Sequence, residues 1–457
     1  MITPKSFQNK TVAVLGLGRS GLSTTKALLS AGAHVLAWDD TEKVRLEAEK
    51  QGVSLTNLHA ADWKTVDSLV LSPGIPHHFP TPHPLVSQAK EAGIHPISDL
   101  EILGLTQRDA TYIAVTGTNG KSTTTALIGH ILKENKVPTE IGGNIGIPAL
   151  DLAPLEKNGI YVLELSSYQL ELSPHFHPSV SVLLNITPDH LDRHGGMEGY
   201  IAAKQLIYKN SSAEDTIVVS LDDPHCKKIY EALEISRQVT TLPISIATFL
   251  LKGISVQKGM LFENQIPIID LHKFEKLKGT HNWQNIAAAY GALRAVGLTP
   301  EQIITGIDTF PGLAHRQQVI GRYKNVIFVN DSKGTNAEAT SKALECYKEM
   351  PLYILLGGRS KEGGISSLRS YFPFMTHAFL YGEAAQDFGN TLEGHVSYTQ
   401  CATLKTATSK AAELAFSSEH SEAVVLLSPA CSSFDQFQDF EERGLAFCEY
   451  VKGLEIS

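Results

Sequence analysis

The chain is 457 residues long, with 42% hydrophobic residues, 39 Lys and Arg against 48 Asp and Glu, and a net charge of −9. That length suits about three domains, and charges of both signs interspersed along it argue against a nucleic-acid or anionic-membrane surface. The five cysteines are scattered, odd in number and without a CxxC pair, which excludes a disulfide framework and a cysteine zinc site and fits a reducing cytoplasm. Met1–Lys5 shows no signal-peptide core, and no apolar run approaches the length of a membrane span.

Alternating β-branched runs and amphipathic stretches predict α/β domains with mainly parallel sheets. The first third offers strands at Val12–Leu15, His34–Trp38 and Ser68–Leu71. Gly16-Leu17-Gly18-Arg19-Ser20-Gly21 follows the first of them with GxGxxG spacing, and Asp39 and Asp40 end the second, near the spacing of a ribose-binding acid. A turn of this kind at a helix N-terminus seats a diphosphate. Locally it favours NAD; a UDP-linked substrate, or a tight turn with no ligand, fits as well. Ser72-Pro73-Gly74 ends the third strand, either joining the same crevice or simply turning the chain.

Tyr112–Val115 then runs into Thr116-Gly117-Thr118-Asn119-Gly120-Lys121-Ser122-Thr123. Strand, glycine-rich turn and helix aim several backbone N–H groups at one spot, as a triphosphate requires. Lys121 can reach the terminal phosphates and the Ser122 hydroxyl can coordinate Mg²⁺. The match to a P-loop is incomplete, because Val115 stands where the leading glycine belongs. A triphosphate site here shifts the reading of the first glycine turn from NAD toward a nucleotide-linked substrate. Further strands are expected at Ile160–Leu165 and Val180–Asn185, ending near Glu164 and followed by Asp189-His190, where an open α/β sheet presents its ligand-facing edge. Glu164 and His190 suit metal coordination beside Ser122. Lys204 reads locally as a solvated helix lysine. A hairpin is expected near Gly253–Gln265.

After Phe310-Pro311-Gly312, strands are expected at Val326–Asn330, Tyr353–Leu356, Ala378–Tyr381 and Ala423–Leu427. Three of them lead into polar loops: Asn330-Asp331-Ser332-Lys333-Gly334-Thr335-Asn336, Gly357-Gly358-Arg359-Ser360-Lys361 and Ser428-Pro429-Ala430-Cys431-Ser432-Ser433. Lysines and hydroxyls converging on one sheet edge make a cradle for a small dicarboxylate.

These motifs, with Gly142-Gly-Asn-Ile-Gly146, Glu164-Leu-Ser-Ser167, Ala202-Ala-Lys204, His281-Asn282-x-x-Asn285, Gly312-Leu-x-His-Arg316 and Ser433-Phe-Asp-Gln-Phe, resemble the Mur ligase family essentially end to end. Asp331-Ser-Lys333, the Ser428 motif and the N-terminal glycine turn point to its D-glutamate-adding branch. The resemblance implies three α/β domains: a Rossmann-like UDP-binding domain (1–98), a P-loop-type ATPase domain (99–312) and a Rossmann-like C-terminal domain (313–457). It implies a cytoplasmic, monomeric ligase of peptidoglycan precursor synthesis that joins UDP-N-acetylmuramoyl-L-alanine to D-glutamate through an acyl phosphate. ATP would be bound by Gly117 through Thr123 with Asn282, Asn285, Arg316 and Asp331. Gly18, Arg19, Ser20, Asp39 and Ser72 would hold the UDP substrate, and Asn144 and Ser166 its acceptor carboxylate. Lys333, Thr335, Lys361, Ser433 and Phe440 would hold D-glutamate. Two Mg²⁺ ions would be held by Ser122, Glu164 and His190 with Lys204, which the resemblance implies to be carbamylated. Lys121, His190 and Lys204 are the implied catalytic residues. Asp40-Thr41 departs from the Thr-Arg often found beside uracil in the family, and Arg359-Ser360 from its Asp-Gly. A sister ligase taking another amino acid is the competing reading within the family. An NAD-dependent oxidoreductase using Gly16–Gly21 competes from outside it, but leaves the triphosphate loop and the third domain unexplained.

Overall fold

The computed structural model describes residues 1–360 and 363–454, and the chain forms two compact units. The first, Met1–Phe274 with Asn282–Phe310, carries two sheets. One comprises β1 (Thr11–Leu15), β2 (His34–Trp38), β3 (Ser68–Leu71) and β4 (Pro96–Ile97), all parallel in the order β2-β1-β3-β4. The other contains β5 (Thr111–Thr116), β6 (Thr139–Gly143), β7 (Ile160–Glu164), β8 (Val180–Leu183), β9 (Thr216–Ser220), β10 (Thr240–Ser245), β11 (Ile254–Gln257), β12 (Met260–Glu263) and β13 (Ile266–Asp270). Its order is β13-β12-β11-β10-β9-β8-β5-β7-β6, antiparallel at β11–β12 and β12–β13. β11 and β12 are the hairpin expected from the sequence.

In both sheets the strand order reverses at the strand that precedes a glycine-rich turn, β1 and β5. Such a switch point opens a crevice at the carboxyl ends of the strands, because the connections leave to opposite sides. β7 and β8 are buried at every residue, as expected of Ile-Tyr-Val-Leu-Glu and Val-Ser-Val-Leu in a parallel sheet covered on both faces. One apolar core joins the two sheets of this unit, running from Val12 and Val14 through Leu100 and Ile102 to Tyr161 and Leu163.

The second unit, Glu275–His281 with the chain from Pro311 onward, has one sheet: β14 (Gln318–Tyr323), β15 (Val326–Asn330), β16 (Leu352–Gly357), β17 (Met375–Tyr381), β18 (Tyr398–Gln400) and β19 (Ala423–Leu427). The order is β14-β15-β19-β16-β17-β18, with only β14 antiparallel. β15 shows the period-2 logic of a two-sided core: Ile327 and Val329 pack on one face, Val326 and Phe328 on the other. Because β19 lies between β15 and β16, the three polar loops singled out in the sequence leave neighbouring strands at one edge. The α/β class and its three sheets agree with the sequence reading.

Candidate active site

The turn after β5 is held open by its own unit. Thr118 N–H donates to Asn185 O and Asn119 N–H to Asn185 Oδ1 (2.8 Å), while the Thr118 hydroxyl donates to Thr187 O (3.0 Å) and meets the Tyr200 hydroxyl (3.2 Å). Lys121 Nζ folds back onto Gly117 O and Thr118 O, both at 2.8 Å, so the amine stands over the turn that would cradle a phosphate chain. Ser122 and Thr123 are buried at the start of the helix Lys121–Glu134, whose cap, Gly120, is left-handed at φ 87°. Asn285, beneath the turn, has its amide hydrogen-bonded to Asn282 Oδ1 (3.1 Å). A Cβ on Gly120 would stand 2.3 Å from Asn285 Oδ1. Gly120→Ala should therefore destabilise by about 1–3 kcal/mol and weaken nucleotide binding, read as a lower urea midpoint and a higher Kd for ATP.

Glu164 ends β7 in register with Val115 of β5, and the Thr116 hydroxyl donates to Leu165 O (2.9 Å). Glu164 is 2% exposed; Oε1 accepts from Asn144 Nδ2 (2.8 Å), and Oε2 is buried with no hydrogen-bond partner. Such an orphaned carboxylate oxygen fits a hard cation that takes oxygen ligands. Among the described residues no group of three or more His, Cys, Asp or Glu side chains is arranged to hold a metal ion, so a cation here would complete its shell with water and phosphate, the usual habit of Mg²⁺. Ser166 caps the helix Ser167–Glu171 in a box with Gln169. His190 is exposed and left-handed at φ 51°, with Nε2 3.5 Å from Asp189 Oδ2.

Lys204 departs most from its local reading. It lies on the helix Met197–Gln205 but is 2% exposed, with Nζ donating to Gly117 O at 2.9 Å and standing 4.6 Å from the Tyr200 ring centre. Burial, helped by the charge of Lys121, lowers its pKa to about 7 against weaker opposition from Asp189, Cys226 and Glu164. The solvated-lysine reading fails because packing against the phosphate turn, invisible in the helix's own sequence, decides the burial.

At the first sheet, a cleft of about 570 Å³ brings together Gly18, Arg19, Ser20, Asp39 and Ser72, all five residues nominated for the nucleotide-linked substrate. Asp39 accepts from Leu17 N–H and Thr41 N–H, both at 2.8 Å, so its carboxylate pins the glycine turn to the end of β2. Arg19 donates to the carbonyl of Gly146, joining the cleft to the Gly142–Gly146 motif. Asp40 joins three walls, accepting from Trp38 Nε1 (2.8 Å) and meeting His83 (2.7 Å) and His59 (3.3 Å). Partial burial raises its pKa, but these hydrogen bonds outweigh that and hold it below the usual range. Sequence reasoning missed His59, His83 and Asn185. Only the position of Asn185 after β8 could have signalled its part.

In the second unit, Asp331 is buried; Oδ2 accepts from the Ser428 hydroxyl (2.7 Å) and Oδ1 from Gln317 N–H (3.1 Å). Burial raises its pKa to about 6, opposed by Ser428 and by the charges of Arg316 and Arg443. Arg316 Nε is buried without a hydrogen-bond partner. Lys333 Nζ stands 5.2 Å from the Phe440 ring centre, Thr335 N–H donates to Lys333 O (2.8 Å), and Ser433 is 2% exposed. Lys361 lies outside the described residues.

Comparison with known proteins places the chain. Residues 10–98 match the Mur ligase MurD-like N-terminal domain and 115–293 the Mur ligase middle domain. The UDP-N-acetylmuramoylalanine–D-glutamate ligase of Paramagnetospirillum magneticum is 48% identical over 100% of this chain and 99% of the relative. That of Caulobacter sp. is 46% identical over 99% and 98%. In structure, the UDP-N-acetylmuramate–alanine ligase of Thermotoga maritima aligns with a TM-score of 0.62 at 18% identity, covering 97% of this chain and 99% of that one, which speaks for the fold. At such identity across the whole chain, it belongs to the Mur ligase family, in the branch of the UDP-N-acetylmuramoylalanine–D-glutamate ligases.

Proposed function

We propose that the protein uses ATP to convert the carboxylate of UDP-N-acetylmuramoyl-L-alanine into an acyl phosphate, which the amine of D-glutamate attacks to form an amide and release phosphate. The observation that carries this reading is the unpartnered buried Oε2 of Glu164 beside a turn built to cradle phosphates. Phosphoryl transfer between two anions calls for alignment and charge neutralisation more than for covalent help. Lys121 would leave the Gly117 and Thr118 carbonyls for the transferring phosphoryl group. Gly117 to Thr123 would hold the phosphate chain by backbone N–H groups and hydroxyls, with Asn282, Asn285, Arg316 and Asp331 binding the rest of the nucleotide. Asn144 and Ser166 would orient the acceptor carboxylate, and the first sheet's cleft the UDP moiety through Gly18, Arg19, Ser20, Asp39 and Ser72. Ser122, Glu164 and His190, with Lys204 as its carbamate, would hold Mg²⁺, which when bound would neutralise charge on the phosphates.

Lys333, Thr335, Lys361, Ser433 and Phe440 would bind D-glutamate. The domain bounds 1–98, 99–312 and 313–457 belong to the same proposal, as do a monomeric state and a place in cytoplasmic peptidoglycan synthesis. No helix among the described residues is long and apolar enough to cross a membrane. Phosphate release from ATP, with UDP-N-acetylmuramoyl-L-alanine and D-glutamate, L-glutamate, L-alanine or meso-diaminopimelate in turn, is the test. Turnover that requires D-glutamate is expected; turnover with another amino acid would move the protein to a sister activity, and none with any of them would overturn the reading.

A further inference from the structure

Arg443 is the largest fully buried side chain among the described residues, at 0% exposure. It lies on the helix Phe440–Lys452, one turn after its start. Its polar partners are all uncharged. Nε donates to the Ser332 hydroxyl (2.9 Å), and Nη2 donates to Ser332 O (2.8 Å) and Cys431 O (3.1 Å). The Ser332 hydroxyl in turn donates to Phe440 O (2.8 Å). Nη1 is buried with no hydrogen-bond partner. The Gly357–Gly358 turn closes over that atom: a Cβ on Gly358, where φ is 124°, would stand 3.1 Å from Nη1 and 2.2 Å from Ser432 O. One guanidinium thus hydrogen-bonds the loops after β15 and β19, leaves no room for a side chain at Gly358 in the loop after β16, and reaches the start of the last helix through Ser332. Those elements carry Lys333, Ser433 and Phe440, each within two residues of an atom that Arg443 binds or hydrogen-bonded through Ser332.

The buried Asp331 carboxylate feels this charge, but burying a cation with no carboxylate hydrogen-bonded to it is unfavourable, and its field reaches further in a low-dielectric interior than it would in water. An anion arriving at the surrounding loops would relieve that cost, and a neutral molecule would not.

We propose that Arg443 is a positioning residue for the acidic amino acid: its fork ties the loops after β15 and β19 together beside the loop after β16, and its buried charge, which no carboxylate hydrogen-bonds, biases their pocket toward a dicarboxylate over a neutral amino acid. The inference rests on the reading of this pocket as the D-glutamate site. It separates into two testable parts, because the fork and the charge can be removed independently.

Steady-state kinetics on the full-length enzyme with D-glutamate and its neutral analogue D-glutamine, alongside the KM for ATP, test it. Arg443→Lys keeps the charge and loses the fork; it should raise the KM for D-glutamate about tenfold with the ATP KM within about twofold of wild type. Arg443→Met should raise it further and shrink the preference for D-glutamate over D-glutamine about tenfold or more. Ser332→Ala removes only the hydroxyl link, so it should raise the KM a few-fold and leave the preference intact. A folded Arg443→Met with unchanged preference would overturn the charge part. D-glutamate and ATP KM values rising in parallel would reduce Arg443 to a general structural role. Should Arg443→Met fail to fold, unchanged KM in both Arg443→Lys and Ser332→Ala would overturn the positioning part. Wild-type activity keeps the two claims distinct: turnover with D-glutamate but unmoved variants defeats this inference alone, whereas wild-type turnover only with a neutral amino acid defeats both.

Discussion

Lys204→Ala should lower turnover by about a thousandfold while leaving the protein folded. The amine is 2% exposed, 2.9 Å from Gly117 O and beside Lys121, and burial with that neighbouring charge lowers its pKa to about 7. Near neutral pH a large fraction is therefore the free amine, which is the form that reacts with CO₂. The nitrogen would attack the carbon, forming an N–C bond and releasing a proton to solvent, and so would convert a cation that would repel Mg²⁺ into an anionic oxygen donor. A short carboxylic acid should restore part of the variant's activity, and depleting CO₂ should depress the wild type until bicarbonate is returned. ¹³C-labelled bicarbonate should give a carbamate resonance in the wild type that Lys204→Ala lacks. Undiminished activity in the variant would end this account.

Stability gives a second readout in CO₂-free buffer. The folded pKa of about 7 lies below the ordinary 10.5, so the unfolded chain binds more protons between those values and the fold gains stability as pH rises through that window. Below about 7 the burial penalty is felt in full. Lys204→Met removes the titrating group, so it should stabilise the protein more at pH 6 than at pH 10, measured as the difference in Tm from wild type.

Most strands legible in the sequence have both faces buried, although β2 (His34–Trp38) is half-exposed. Val326–Asn330 and Ala423–Leu427 end where the apolar runs end, because a parallel strand covered on both faces needs no polar alternation. β9 (Thr216–Ser220) was missed despite its buried Ile-Val-Val run, but other missed strands lack one. β6 is Thr-Glu-Ile-Gly-Gly, β13 is an edge strand containing Pro267, and β18 has three residues. The phosphate turn was readable because its chemistry is local: glycines for positive φ, a lysine and hydroxyls at a helix start. The burial of Lys204 and the bond from Leu17 N–H to Asp39 come from residues distant in sequence, and no local pattern announces them. Arg443 escaped notice for the same reason, since its partners lie 12 and 111 residues away.

Glu164→Gln should move activity and stability in opposite directions. The glutamine can still accept from Asn144 Nδ2, as Oε1 does now at 2.8 Å, so local packing is kept. What changes is the atom that now has no partner: a buried anionic oxygen becomes part of a neutral amide. A buried polar group left unsatisfied costs about 1–3 kcal/mol, and more when charged, so the variant should be as stable as wild type or more so without ligands. Turnover should nevertheless fall by about a hundredfold to a thousandfold, because the site would lose the negative charge proposed to draw Mg²⁺ toward the phosphate turn. Tm measured with and without Mg²⁺ and ATP separates the effects: the wild type should gain from the pair, and the variant should gain less and need more Mg²⁺. A variant that loses stability but keeps its Mg²⁺ requirement would make Glu164 a packing residue. A site shaped for its ligand behaves in the opposite way, since groups left unpaired in the free protein are those that pair on binding.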